Sequence, residues 1–310
     1  MIVCAGESLI DFVPGDSAGK WYSPKPGGSP MNCAVAAARL GGTTLFSGAV
    51  SSDFFGDKIL AHLRQNSVDT SLVVRVDNPT TLAFVSASQS GDARYAFYTE
   101  QSADRAYQTA HLPETLPAGA ILQIGSISLI ADPESWTLLS LAEQSQTDHI
   151  VALDPNIRPN LIDEEGDYRS RLERATRAAA IVKISEEDVA WLYPHSTTEE
   201  AVRELFAHGT ELVVITRGPN GSEAHTSLHS VRAPGRKVKV ADTIGAGDSF
   251  LAALLVWLDE HAILRREQLK ELLPSQLDLM LGFATQVSAL TCTKPGADPP
   301  RRDELVDEAL

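Results

Sequence analysis

Cysteine is scarce in this chain. Cys4, Cys33 and Cys292 are its only three in 310 residues, too few and too scattered for a disulfide framework or a zinc cage. Each lies among apolar or small residues and reads as a core thiol in a reducing cytoplasm. Positive charge is scarce as well. The 26 Lys and Arg face 41 Asp and Glu, a formal net charge of −15 that argues against nucleic acid or an anionic membrane surface as a main partner. No apolar run reaches about 18 residues without a charge, so no membrane span is expected. The N-terminus, Met1 to Gly6, has no basic stretch and turns acidic at Glu7, unlike a secretory signal. There is no internal repeat, no low-complexity tract and no G-x-x-x-x-G-K-[ST] phosphate loop. His111, His149, His195, His225 and His229 share no ligand spacing and read as solvated or structural.

What is present is an ample apolar fraction, 43%, arranged in two alternating periods. β-Branched runs at Ile2–Ala5, Leu45–Val50, Ile121–Ile124, Ile150–Leu153, Ile181–Ile184 and Leu212–Thr216 predict strands. Helical periodicity separates them at Pro30–Leu40, Phe54–Gln65, Pro133–Gln144, Tyr168–Ala178, Thr198–His208 and Ser249–His261. Strands apolar on both faces, alternating with helices, predict a doubly wound α/β fold. Its mostly parallel sheet carries helices on both faces and binds ligands beyond the C-terminal strand ends. The rhythm breaks between Ser71 and Tyr98, where strand-like runs follow one another without a helix. With Phe12–Val13 and Trp21–Ser23 they suggest a small β-sheet lid, formed from about 12–26 and 71–100, on a single domain of residues 1–310.

Two segments carry chemistry. The first is Asp242-Thr243-Ile244-Gly245-Ala246-Gly247-Asp248-Ser249-Phe250, followed by the apolar run Leu251 to Leu258. It reads as a small-residue turn feeding a buried helix, where open N–H groups and the helix dipole can hold an anion. A carboxylate at Asp248 would repel that anion unless it takes a proton from an attacking hydroxyl. A plain Gly-rich helix start with Asp248 as its cap also fits these nine residues. The second segment is Gly27-Gly28-Ser29-Pro30-Met31-Asn32-Cys33-Ala34, a tight turn with Pro30 at a helix start and Asn32 on its first turn. Asp11 follows the first strand. By itself it reads as a solvated loop carboxylate; with Asn32 it suits a polyol, whose hydroxyls both groups can bind.

Together these segments resemble the signatures of the PfkB family, the ribokinase-like carbohydrate kinases, and the strand and helix order between them fits the same family over essentially the whole chain. The resemblance implies transfer of phosphate from ATP to a sugar hydroxyl, with Asp248 as base and Gly245, Ala246, Gly247 and Asp248 forming the anion hole. It implies Mg2+ bridging the phosphates, held largely through water, and K+ beside the anion hole, on carbonyls around Asp242–Ile244. On the sugar side it points to Asp11, Gly27, Gly28 and Asn32, with Tyr95 and Phe97 closing over from the lid. Asp154-Pro155-Asn156-Ile157-Arg158-Pro159-Asn160 resembles an element of fructokinases and 2-keto-3-deoxygluconate kinases, with Arg158 suited to a phosphate or the sugar.

On the nucleotide side it points to Lys183, Ser185, Thr216, Gly218, Gly221, Gly245, Gly247 and Ala284. Ser185 and Asp188 stand at the Asn and Glu of the family's N-x-x-E element. Asp188 is there a metal residue acting through water, although an N-cap serine with acidic first-turn neighbours explains both equally well. Pro30 and the Gly6–Asp11 segment resemble fructokinases more than ribokinases. Fructose is therefore the expected acceptor, with 2-keto-3-deoxygluconate, an aminoimidazole riboside, or a catalytically silent sugar-binding regulator as alternatives. A homodimer through the lid is the expected assembly.

Overall fold

Apolar runs set the centre of the molecule. In the computed structural model, which describes residues 1–15, 20–87 and 93–305 (side chains of 86, 87 and 93–95 excepted), the chain begins with β1 (Ile2–Ala5). The antiparallel partners β2 (Leu9–Pro14) and β3 (Tyr22–Gly27) come next, and then α1 (Ser29–Arg39). β4 (Thr44–Ser51), α2 (Phe54–Gln65) and β5 (Asp69–Val76) follow, then the antiparallel pair β6 (Thr81–Ala87) and β7 (Ala93–Tyr98). The middle alternates through β8 (Ile121–Gly125), α3 (Glu134–Ser145), β9 (Ile150–Asp154), α4 (Glu165–Ala178) and β10 (Ile181–Ser185). Two helices, α5 (Glu186–Leu192) and α6 (Thr198–Ala207), lead to β11 (Leu212–Thr216), β12 (Ser222–His225) and β13 (Ser230–Ala233). The last helices are α7 (Ala246–Glu260), α8 (Arg266–Lys270) and α9 (Pro274–Thr291).

Among the described residues the strands form two sheets. The larger has nine strands in the order β13-β12-β11-β10-β9-β8-β1-β4-β5, and the smaller four in the order β3-β2-β6-β7. From β5 to β11 every pairing in the larger sheet is parallel. Successive side chains of a strand point to opposite faces, and both faces are buried here. Ile2, Cys4, Ile121, Ile150 and Ala152 join one core with α1, α2, α7 and α9. Their neighbours Val3, Ala5, Leu122, Val151 and Leu153 join the other with α3, α4 and α6. That is the doubly wound arrangement the apolar strands predict.

α7 is apolar on all sides, buried from Asp248 through Leu258, and packs against both α1 and α9. Strand order reverses at β1, whose neighbours are β8 and β4. A crevice therefore opens beyond the C-terminal ends of β1, β8 and β9.

Two features differ from expectation. Residues 71–76, read as part of the small sheet, belong to β5, which pairs parallel with β4 at the edge of the larger sheet. An edge strand is only half-covered, so its alternating pattern looks the same in either sheet. The antiparallel pair β12–β13 extends the opposite side without any expectation from the sequence. Among the described residues, no helix is long and apolar enough to cross a membrane.

Candidate active site

The two motif segments meet. α1 starts at Ser29, after Gly28 at φ 110°, and carries Pro30 in its first turn. α7 starts after Gly245, held left-handed at φ 76° with no side-chain cap. Both helix starts face one cavity of about 320 Å3. Across 219 residues of sequence, the Ser29 hydroxyl donates to Asp248 Oδ1 at 2.6 Å. The Asn32 amide donates to Asp248 Oδ2 at 2.9 Å. The first N–H groups of a helix have no partner within it, and Gly245, Gly247 and Asp248 of that turn line the cavity. A carboxylate thus sits on a helix start of the kind that can hold an anion, oriented by two donors and with lone pairs left for a third.

The same cavity is lined by Asp11, Asn32, Phe97 and Arg158, with Glu7, Leu9, Ser126, Ile127 and Asn156. Asn32 comes from α1, Leu9 and Asp11 from β2 and Phe97 from β7 of the small sheet, and the rest from the segments that follow β1, β8 and β9. The Arg158 guanidinium rests on the carbonyls of Asn156 and Ile157, at 3.2 and 3.0 Å. Gly27 makes room for Asp11: a Cβ there would stand 2.1 Å from the Asp11 carboxylate.

Burial pushes the Asp11 carboxyl up to about 7; Asp248 and Asp242 add to this while Arg158 opposes it. Burial also raises the Asp248 carboxyl, against the hydrogen bonds from Ser29 and Asn32 and the charges of Lys183 and Arg158. A base whose pKa is raised toward neutrality is better matched to taking a proton from a hydroxyl.

The Asp11 shift has a measurable consequence. The folded chain holds this proton more tightly than the unfolded one, where the ordinary value is 3.8. Its contribution to stability is fully present below about pH 4 and lost as pH rises through about 7. Asp11→Asn is therefore expected to melt about 2–6 °C above wild type near pH 8, in the absence of ligand. Melting curves should show that gap closing toward pH 4; a gap independent of pH would contradict the shift.

Behind the anion site, the Lys183 ammonium pairs with Asp154 Oδ2 at 2.8 Å, both side chains almost fully buried. Its Nζ lies 3.0 Å from where a Cβ on Gly247 would be, directly against the turn. Burial pulls this ammonium down, but Asp154, Asp248 and Asp188 outweigh it and hold it above its ordinary range.

The remaining nucleotide-side residues are placed differently. Ser185 caps α5 by accepting the Asp188 N–H, and the Asp188 carboxylate accepts the Ile157 N–H at 3.0 Å. Asp188 thus ties the Arg158 loop to α5 and does not line the cavity. Thr216 ends β11, Gly218 lies in the turn after it, and Gly221 packs so closely on β13 that a Cβ would stand 2.1 Å from the Ala233 carbonyl. Ala284 is wholly buried in the core on α9 and presents no surface to a nucleotide. Its helical environment does not tell a core position from an adenine wall in sequence. The Tyr95 side chain lies outside the described residues.

Sequence reasoning did not single out Glu7, Ser29, Ser126, Asn156 or Asp154. Ser29 stood inside a quoted motif and Glu7 beside Asp11, so both were within reach. Ser126 is a common residue type that gives no cue.

Against known proteins, the family model described as pfkB family carbohydrate kinase matches residues 1–304. A fructokinase of Rhizobium leguminosarum bv. trifolii is 36% identical over 274 residues, covering 88% of this chain and 84% of its own. The structure of a fructokinase with bound ATP from Xylella fastidiosa superposes with a TM-score of 0.89 at 28% identity, over 96% of this chain and 93% of that one. A Vibrio cholerae O395 fructokinase in a fructose, ADP and calcium ion bound form gives 0.84 at 28% identity, over 96% and 94%.

Proposed function

Because this chain belongs to the pfkB family of carbohydrate kinases, we propose that it moves the γ-phosphate of ATP onto fructose, giving fructose 6-phosphate and ADP. The observation that carries the reading is Asp248. It lies in the first turn of α7 on the cavity that Asp11 also lines, and its Oδ2 accepts from Asn32. The 6-hydroxyl gives its proton to Asp248, its oxygen attacks the γ-phosphorus, and the bond to ADP breaks. The N–H groups of the turn, with Lys183 behind them, stabilise charge on the transferring group. Arg158 and Asp11 position the sugar, and Phe97 of the small sheet covers it.

We also propose Mg2+ between the phosphates. Among the described residues, no three of His, Cys, Asp and Glu converge as a metal site. Water and phosphate oxygens would therefore supply most of the ligands, which suits that ion. Asp188, which holds the Ile157 N–H and does not line the cavity, would reach such an ion only through water. A K+ ion on carbonyls of the Asp242–Ile244 loop belongs to the same reading. The free thiols of Cys4, Cys33 and Cys292 support a reducing cytoplasm as the compartment.

ADP release across a panel of sugars tests the acceptor. Fructose must give the highest kcat/KM, and preference for an aminoimidazole riboside or 2-keto-3-deoxygluconate would overturn fructose while keeping the kinase. If sugars raise the melting temperature yet none supports ADP release, the chain is a sensor.

Exposed aromatics at the rim of the small sheet, beside a Phe12–Phe84 stack that packs on α2, support a homodimer. Phe12 and Phe84 stack at 4.6 Å, flanked by Tyr22, Tyr98 and Phe55. Tyr98 is 64% exposed and nearby Trp21 56%. A second copy meeting this rim would bury it and cover the free edges of β3 and β7. Sedimentation is expected to give twice the chain mass, falling to the single mass in Tyr98→Glu; a wild-type monomer at all concentrations would refute the dimer.

A further inference from the structure

The position of Asp248 depends on Ser29, and Ser29 depends on a group that the reaction as described does not use. α1 has no side-chain cap of its own, since Gly28 stands at its N-cap. The first N–H of the helix, that of Ser29, is instead accepted by Glu7 Oε1 at 3.1 Å. Glu7 Oε2 accepts from the Ser128 hydroxyl, and the Glu7 N–H donates to the same Ser128 oxygen at 2.8 Å. Glu7 is 1% exposed and Ser128 is wholly buried. The backbone agrees with this clamp, because a Cβ on Gly28 would stand 2.7 Å from the Glu7 carbonyl oxygen. Each Glu7 oxygen accepts from a protein donor, which ties this carboxylate at the cavity edge to α1 on one side and to Ser128 on the other.

We infer that Glu7 is a positioning residue for phosphoryl transfer, anchoring the first turn of α1 in trans so that the Ser29 hydroxyl is delivered to Asp248. A buried carboxylate is costly, and burial pushes this one up to about 7, against the hydrogen bond from Ser128. Placing it where a helix N-terminus and a serine converge offsets that cost through the helix dipole and charge-assisted hydrogen bonds. Without the acceptor, the Ser29 N–H is left unpaired, the Gly27–Ser29 turn is free to shift, and Asp248 loses one of its two orienting donors. The inference rests on the kinase reading, for whichever sugar the enzyme turns over.

The test compares kcat and KM for the best sugar and for ATP in Glu7→Ala, Glu7→Gln, Ser29→Ala and the Glu7→Ala/Ser29→Ala double variant. Glu7→Ala is expected to lose about 30–100-fold in kcat with either KM changed less than about threefold, as for a misplaced catalytic group. Glu7→Gln keeps an oxygen for the Ser29 N–H and stays within about fivefold of wild type. The double variant is no worse than Glu7→Ala, because both substitutions break one chain of contacts. A folded Glu7→Ala with kcat within about twofold of wild type, or losses that multiply in the double variant, would overturn the inference.

Should Glu7→Ala not fold, Ser128→Ala loosens Glu7 without removing it. It is expected to lose about 3–10-fold in kcat, and no loss there is equally fatal to the inference. A wild-type chain that phosphorylates no sugar defeats the kinase reading by itself; the Glu7 inference fails only against an active wild type.

Discussion

Asp248→Asn is expected to lower kcat by about 10²–10⁴-fold, the range for removing a general base. The fold should survive. The amide is close in shape to the carboxylate, its oxygen can still accept from the Ser29 hydroxyl, and Asn32 can rotate to offer its own oxygen. Removing a buried carboxylate whose pKa burial has raised should leave stability unchanged or slightly higher at pH values where the wild-type group is ionised. KM for the sugar should change little, because Asp11, Asn32 and Arg158 remain on the sugar side of the cavity. Steady-state ADP release and a melting curve on the same sample check both halves. A folded variant with kcat within about tenfold of wild type would remove Asp248 from the role of base.

Lys183→Met has the second large effect, on stability and catalysis together. It leaves the Asp154 carboxylate buried and unpaired; Oδ2 loses its ammonium, and Oδ1 has no hydrogen-bond partner to begin with. Breaking a buried ion pair in this way costs about 3–5 kcal/mol, readable as a lower midpoint in urea. It also takes the cation from behind the Gly247 turn, for an expected loss of about 10²–10³-fold in kcat. The two effects separate in the Asp154→Asn/Lys183→Met double variant, which removes the stranded charge. Stability should largely return and activity should not. If activity returns with stability, Lys183 serves the fold alone.

How much was legible follows from where each cue resides. The helix and strand cores could be read because apolar residues recur at periods the backbone geometry imposes, and because strands covered on both faces are apolar throughout. β5 was assigned to the wrong sheet because a half-covered strand looks alike wherever it pairs. The Gly27–Asn32 and Gly245–Asp248 segments could be read because glycine marks tight helix entries, where a side chain would strike Asp11, Glu7, Ala297 or Lys183. Asp188 illustrates the limit. Its spacing from Ser185 fits an N-cap as well as a metal element, and the tertiary contact with the Ile157 N–H shows what its carboxylate holds.

The sequence by itself determined the α/β class, the family and the two segments that meet at the cavity, because each is written in residues near one another along the chain. Only the tertiary structure decided that Ser29 and Asn32 orient Asp248, that Asp154 holds Lys183 against the anion turn, and that Glu7 caps α1 from across the crevice. These contacts join residues from 22 to 219 positions apart. The side chains involved, serine, asparagine and carboxylates, are common on any protein surface. They acquire their roles here because parallel strands end on one edge of the sheet, where two helix starts converge on one cavity.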